Sequence, residues 1–181
     1  MTQYARPNGL DNNDGNWTPG AAPGETPKAN LWDGINEMTL NTNYFDEVYD
    51  EESAGSELNL TVELFAVTDP VSSAEHEVHF TVLGDQGEGS LDVTLLSGST
   101  TIVTSGIAQL DTDWESRGFL LTSSQANNIG NYSDLKLKFS YLDENIFGEV
   151  CQLSQAYFQC PDVAAPAAAA NGKAFMLFLD T

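Results

Sequence analysis

Two histidines, His76 and His79, are the side chains in this sequence best suited to acid–base or nucleophilic chemistry near neutral pH. A hydrolase triad needs a nucleophile, a histidine within hydrogen-bond reach and a group that orients that histidine. Three positions apart on a strand, the two imidazoles point to opposite faces and cannot act together. The sequence also lacks a Gly-x-Ser-x-Gly elbow, a Walker loop and a His-Glu-x-x-His motif. We therefore expect His79 on the polar face of a strand, His76 in a turn, and no histidine-based active site.

Carboxylates are the other reactive groups, and the chain has 27 Asp and Glu residues. Glycoside hydrolysis needs only two of them at the right separation, so their abundance gives no specific signal. The acidic run at 46–52 has rings interleaved at 44, 45 and 49. It predicts a charged loop anchored by rings, with a calcium site as the alternative. We assign no catalytic, cofactor-binding or metal-binding residue, and we expect a protein that is not an enzyme.

The charge is strongly one-sided, because only six Lys and Arg residues oppose the acidic ones and the formal net charge is −21. Such a surface repels phosphate backbones and anionic lipid. We therefore expect neither nucleic acid nor a membrane as a partner. The first residues contain no apolar stretch of the kind found in a secretory signal. A place on the outside of a larger body fits this charge, as does simple solubility in salt.

Alternation of apolar and polar residues predicts many short strands. The clearest cover residues 58–64, 77–82, 91–95 and 135–141, and a last one at about 149–159 changes phase between Leu153 and Ala156, which indicates a bulge. Thr122-Ser-Ser-Gln125 fits a capping box and predicts the one short helix, at 123–129. Strands at roughly ten-residue spacing without interleaved helices indicate an all-β, antiparallel, jelly-roll-like β-sandwich.

Cys151 and Cys160 lie on the last predicted strand. Nine positions of extended chain separate them by about 30 Å, which is too far for a disulfide. We expect two buried, reduced thiols.

The ends of the chain differ from the middle in composition. Residues 1–30 are rich in Gly, Pro, Asn and Asp and predict an extended N-terminal arm; 31–161 form the sandwich, with strand-like sequence from Leu31 onward; and 162–181 are an Ala/Pro linker with a C-terminal strand. Large side chains in such arms need a docking site, on their own domain or on a neighbouring subunit. The candidates for an interface with neighbours are Tyr4, Arg6, Trp17, Trp32, Phe175, Met176 and Phe178.

Aromatic platforms that stack on sugar rings are an alternative use of a sandwich surface. The candidates for that role are Trp32, Trp114, Phe119 and Tyr132. A core role competes in each case, because large rings dominate the cores of sandwiches.

Several segments, in their order along the chain, carry a resemblance to a known family. They include Tyr-Ala-Arg-Pro at 4–7, Asn-Trp-Thr-Pro at 16–19, Ile-Asn-Glu at 35–37, Val-Thr-Asp-Pro at 67–70, Ser-Ala-Glu-His at 73–76, and the stretches 121–129, 132–139 and 155–161. Together they resemble small jelly-roll proteins of tailed-bacteriophage virions. The resemblance covers roughly residues 4–161, and its motifs are structural.

This resemblance implies a capsid decoration or cement protein, a non-enzymatic virion component that stabilises the outer surface of the capsid. Its partners would be the major capsid protein and copies of itself, commonly as a homotrimer. The alternative function is a tail or fibre component, or a carbohydrate-binding module that recognises glycans of the host surface. A glycosidase that uses two acidic residues is a third, more distant reading.

Overall fold

The computed structural model describes residues 2–14, 17–37, 42–49, 57–84, 89–107, 109–142 and 150–163. Eleven strands lie within these ranges: β1 (Thr2–Ala5), β2 (Pro7–Asn13), β3 (Thr18–Ala21), β4 (Tyr44–Tyr49), β5 (Glu57–Leu64), β6 (Glu77–Gly84), β7 (Ser90–Ser97), β8 (Thr100–Ile107), β9 (Glu115–Leu120), β10 (Leu135–Leu142) and β11 (Val150–Pro161). A 3-10 turn spans Leu31–Asp33, and one helix, α1, spans Ser123–Asn127. The described residues include no helix long and apolar enough to cross a membrane.

The strands form two antiparallel sheets. Sheet A has the order β3-β4-β11-β6-β9, with β1 paired to the C-terminal half of β11. Sheet B has the order β2-β5-β10-β7-β8. Alternate residues of both sheets point inward and are almost fully buried, among them Leu60 and Phe139 from sheet B and Phe80 and Phe158 from sheet A. The predicted all-β antiparallel sandwich is therefore confirmed.

Several local predictions are also confirmed. The Thr122 hydroxyl accepts a hydrogen bond from the backbone N–H of Gln125, and the backbone N–H of Thr122 donates to Gln125 Oε1 at 2.8 Å. These two bonds form the capping box of α1. The pairing of β11 with β6 shifts between Leu153 and Gln155, where the bulge was expected. Both cysteines are buried and free. Burial raises the pKa of the Cys160 thiol to about 11 and raises that of Cys151 still further.

The N-terminal segment differs from the prediction. Residues 2–14 and 17–21 are not an arm outside the sandwich, because β1 and β3 belong to sheet A and β2 to sheet B. These strands are short. β2 and β3 are edge strands, and β1 pairs with the part of β11 that β4 does not cover. Proline is tolerated in such strands because one side of the strand has no neighbour that needs a backbone N–H donor. Pro7 and Pro19 occupy such positions.

Two further corrections concern residues 31–49. Leu31–Asp33 form a 3-10 turn and not the start of a strand, and Asn30 precedes it as the N-cap. The acidic segment with its rings is not a loop where the structure describes it, because Tyr44–Tyr49 is the strand β4, paired on both sides. Its Asp46 is fully buried. Asp50, Glu51 and Glu52 of the same run lie outside the described residues, as do all residues beyond Val163.

Candidate functional site

The outer face of sheet A begins with the central strand β11. Gln155, Tyr157 and Gln159 are half-buried on this face, whereas the intervening Ala156 and Phe158 are completely buried in the core. Period-two alternation therefore presents one ring between two amides to the outside of the sandwich.

The neighbouring strand β6 continues this pattern. Tyr157 pairs with His79, and Gln159 pairs with Glu77. The rings of Tyr157 and His79 stack with centroids 4.7 Å apart and planes 23° apart. Because the two rings pack against each other, each restricts the rotamers of the other.

On the other side of β11, β1 adds a third ring. Tyr4 pairs with Gln159 and lies edge-to-face with Tyr157, at a centroid distance of 5.7 Å and an angle of 75°. Tyr4 is 44% exposed, so much of its ring is open to solvent. Three rings from three adjacent strands thus form a row across the sheet.

Hydrogen bonds hold the polar side chains beside this row. Gln159 Nε2 donates to Glu77 Oε2 at 2.9 Å, and the Thr81 hydroxyl donates to Gln155 Oε1 at 3.3 Å. The hydroxyls of Thr81 and Ser116 lie 3.0 Å apart. His79 Nε2 is 3.1 Å from Glu77 Oε2, an ion-pair distance without the geometry of a hydrogen bond.

The next strand, β9, does not cover the row of rings at its His79 end. Gly118 pairs with His79 and carries no side chain that could cover the imidazole. A Cβ at this position would lie only 2.9 Å from the Val78 carbonyl oxygen and 3.1 Å from His79 Nδ1. We call this surface the Tyr157 face. It comprises Tyr4, Glu77, His79, Ser116, Gly118, Gln155, Tyr157 and Gln159, and Thr81 is buried beside them.

Two more rings lie on the same outer side of the sheet. Strand alternation places Phe45 of β4 and Trp114, just before β9, on the outer face. Their centroids are 6.1 Å apart although β11 and β6 separate β4 from β9. The two side chains therefore lean toward each other across the sheet, and Trp114 remains half-buried.

The predicted interface residues are dispersed. Tyr4 lies on the Tyr157 face, and Arg6 Nη1 donates to the Asn36 carbonyl at 3.3 Å. Trp17 is 2% exposed, and its Nε1 donates to the Leu58 carbonyl at 3.3 Å, so its ring belongs to the core of its own domain and is not free to contact a neighbour. Trp32 is half-buried against the same core. Phe175, Met176 and Phe178 lie outside the described residues.

The residues predicted as sugar platforms also lie in different parts of the structure. Tyr132 is buried and Phe119 packs against the core, so neither forms an open platform. Only Trp114 of the four candidates lies on the outer face of sheet A.

His76 is a buried, hydrogen-bonded residue of the sandwich interior. It precedes β6 as expected of a turn residue, but it is completely buried. Its Nδ1 lies 2.8 Å from the Ala74 carbonyl, which only accepts, so Nδ1–H is the donor there, and Nε2 is hydrogen-bonded to the Tyr132 hydroxyl at 2.7 Å. Burial raises the pKa of Tyr132 to about 12.

A second surface, on the outer side of sheet B, is less suited to an organic ligand. A groove of about 480 Å³ is lined by Asp11, Asn12, Asp14, Thr61, Leu96, Gly98, Ser99, Asp134, Lys136 and Lys138. Lys136 Nζ is paired with Asp11 at 2.6 Å and Lys138 Nζ with Glu57 at 3.5 Å. None of these described lining residues is aromatic, so the groove lacks the flat apolar surface that the Tyr157 face offers.

Sequence reasoning missed Tyr157 and His79 as site residues. The available signal was a ring on the polar side of each strand, between Gln155 and Gln159 in one case and between Glu77 and Thr81 in the other. Tyr157 and His79 lie 78 positions apart in the chain, and they meet because β11 pairs with β6 in a register that places them opposite each other. No pattern of neighbouring residues in the sequence predicts that register.

No family model matches the sequence, and no curated protein matches it. Among solved structures, the family 30 carbohydrate-binding module of a cellulosomal cellulase from Clostridium thermocellum aligns with 87% of this chain and 96% of its own, at 14% identity and a TM-score of 0.53. The fold is a jelly-roll-like β-sandwich. A second family 30 module has 12% identity and a TM-score of 0.49 over 75% of this chain and 76% of its own. An apo-form cyclase from Fischerella sp. has 15% identity and a TM-score of 0.43 over 88% and 90%.

Proposed function

We propose that this protein is a non-catalytic glycan-binding module whose ligand lies on the Tyr157 face. The observation that carries the proposal is the row formed by Tyr4, Tyr157 and His79 on three adjacent strands, with the amides of Gln155 and Gln159 beside it. This reading was the alternative on sequence grounds, and the side-chain arrangement now favours it.

The chemistry of a saccharide matches this combination of groups. A sugar ring has apolar C–H groups on its faces and hydroxyls around its rim, so it needs aromatic surface together with hydrogen-bonding groups of both kinds. Rings with a polar atom supply large contact areas, and a few placed polar groups fix the orientation of the ligand. Amides donate and accept, as does the hydroxyl of the exposed Ser116.

The side chains of this face are also held in place before any ligand binds. The stack of Tyr157 on His79 and the hydrogen bonds from Gln159 to Glu77 and from Thr81 to Gln155 limit rotamer freedom. Preorganised side chains lose less conformational entropy on binding. The fold supports the same proposal, because the similar structure at TM-score 0.53 is a carbohydrate-binding module.

Replacing Tyr157 by alanine is expected to weaken glycan binding at least tenfold, which corresponds to about 1.4 kcal/mol. The reason is that the change removes the central ring, against which both Tyr4 and His79 pack. Native affinity electrophoresis in gels that contain soluble β-glucan, β-galactan, xylan or a host-cell polysaccharide measures the retardation of wild type and variant.

Lys138→Ala is the matched control, because Lys138 lies on the opposite sheet in an exposed ion pair. It should be retarded as strongly as the wild type. The proposal fails if none of the polysaccharides retards the wild type, or if Tyr157→Ala retains full retardation while Lys138→Ala loses it.

The capsid decoration role stays a separate prediction. It comprises a place on the outer surface of a phage capsid, a homotrimer, and the major capsid protein as partner. A glycan-binding sandwich on the outside of a particle is compatible with that place. Gold-labelled antibodies against the chain, applied to intact particles, should decorate the head; labelling of the tail would support the tail or fibre alternative, and unlabelled particles would contradict both.

A further inference from the structure

The strand β9 forms an open edge of sheet A. It is the last strand in the order of that sheet, and within the described residues it pairs with β6 alone. None of its six residues is buried, and four of them are exposed. The backbone N–H and C=O groups on the far side of such a strand offer a hydrogen-bonding ladder to a further strand.

The end of β9 also exposes apolar side chains. Leu120 points to the outer side of the sheet and is 68% exposed, and Phe119, on the inner side, is only partly buried against the core. The two charged residues of this strand, Glu115 and Arg117, form an ion pair with each other. A strand that pairs with this edge therefore meets an apolar end and no unpaired charge of β9.

The described part of the chain ends close to this edge. Glu77 of β6 pairs with Gln159 of β11 on one side and with Leu120 of β9 on the other, so β11 and β9 finish at the same end of the sandwich. The chain leaves β11 at that end, and its last described residue is Val163. A further strand on β9 would lie three strand positions from β11, about 14 Å at the usual spacing.

The sequence beyond Val163 contains a segment that suits this edge. Residues 164–173 are mostly alanine and span about 33 Å when fully extended, which is more than the distance requires. They are followed by Ala-Phe-Met-Leu-Phe-Leu at 174–179, six residues that match the length of β9. An apolar run of this kind is an aggregation hazard if it stays exposed, so it needs a partner.

We propose that residues 174–179 add a strand to the edge of β9 in the same chain. A strand that starts where β9 finishes and runs back along it is antiparallel to β9, and its connection from β11 needs no crossover. Main-chain hydrogen bonds to β9 hold the segment, and Phe119 and Leu120 pack against its apolar side chains. The added strand closes this edge of sheet A against pairing with other chains.

The other edge strands that the structure describes fit this segment less well. β2 and β3 contain Pro7 and Pro19, and a proline has no N–H to offer a further strand. β8 begins beside residues 131–134, and Tyr132 of that turn is bonded to His76, which precedes β6. The segment enters at that same end, so it would run parallel to β8, and parallel pairing is slightly less stable per residue.

A second copy of the chain offers the same edge, but the tether favours the edge in the segment's own domain. The ten residues at 164–173 keep the segment near its own β9 at an effective concentration on the order of millimolar. A separate copy at micromolar concentration competes poorly with a partner held so close. This inference concerns backbone pairing at the edge of the sheet, and it does not rest on glycan binding.

Amide hydrogen exchange of the full chain, followed by nuclear magnetic resonance, tests the pairing. In a free edge strand, the amides that do not bond to the neighbouring strand exchange quickly with water. We expect those amides of β9 to be protected in the wild type. Leu177→Pro should accelerate their exchange at least tenfold, because proline removes an N–H and interrupts the added strand.

Two further variants make the exchange experiment decisive. Ala168→Pro is the matched control, because residues 164–173 already contain Pro166, and it should exchange as the wild type does. Leu177→Asp keeps the N–H but places a charge in the apolar run. It should also accelerate exchange in β9, which covers the case in which Leu177→Pro does not fold.

Light scattering identifies the chain to which the strand belongs. Wild type and Leu177→Pro should have the same molar mass at every concentration, since the strand pairs within its own chain. A multimer that Leu177→Pro dissociates would assign the strand to a second copy and overturn the proposal. Fast exchange of the same β9 amides in the wild type, or protection that persists in both Leu177 variants, would overturn it as well.

Discussion

Replacing Trp17 by alanine should lower the free energy of unfolding by about 3–5 kcal/mol, the usual cost of deleting a large buried ring. Trp17 is 2% exposed and is the largest of the fully buried side chains that the structure describes. The change would also leave the Leu58 carbonyl without the indole N–H that donates to it. Urea unfolding followed by far-ultraviolet circular dichroism measures the loss, since this signal reports mainly on the backbone and remains measurable after the tryptophan is removed.

Tyr4→Ala is the control for this experiment. Tyr4 belongs to the same N-terminal segment but is 44% exposed, so its loss should cost less than about 1 kcal/mol. If Trp17→Ala were as stable as the wild type, the ring would not lie in its own core, and the earlier expectation that it contacts a neighbouring subunit would return.

Two adjacent residues of β11 should have opposite roles. Phe158 is completely buried and Tyr157 faces outward. Phe158→Ala should lower the free energy of unfolding by about 3–5 kcal/mol through the cavity that it leaves. Below its unfolding transition this variant should bind glycan as the wild type does, because the Tyr157 face is intact.

The reverse result is expected for Tyr157→Ala. It should lose binding, as argued above, while its stability falls by about 1 kcal/mol or less, since no core side chain is removed. For each of the two variants, the free energy of unfolding in urea and the glycan affinity are measured and compared with those of the wild type. Loss of binding in proportion to loss of stability in both variants would mean that the effect on binding is only a consequence of unfolding.

The sheet could be predicted from the sequence wherever one face of a strand is apolar. Leu135, Leu137 and Phe139 alternate with lysines and serine, and that signal depends only on neighbours in the chain. The capping box of α1 and the bulge in β11 are equally local. Each of these features was therefore found at the correct place.

The N-terminal strands could not be predicted in this way. β1 and β3 lack an apolar alternation, and they exist because edges of β11 and β4 are free to pair with them. Thr2 pairs with Pro161 at the other end of the described chain. Local composition, rich in glycine and proline, indicated a loop, and long-range pairing overrode it.

The candidate site was even less predictable. His79 and Tyr157 each looked like an isolated polar-face residue, and only the sheet order joins them to Tyr4. The burial of Asp46 could not be predicted either, because an acidic residue within an acidic run is expected to be exposed to solvent. In both cases the decisive fact is which distant strand lies next to the residue.

The most direct test of the glycan-binding proposal is a nuclear magnetic resonance titration of the isotope-labelled chain with an oligosaccharide of the polysaccharide that retards it best. The account predicts that the largest shifts of backbone amides fall on β1, β6, β9 and β11, centred on Tyr4, His79 and Tyr157. Shifts centred instead on the Lys136 and Lys138 groove of sheet B would contradict the assignment of the Tyr157 face.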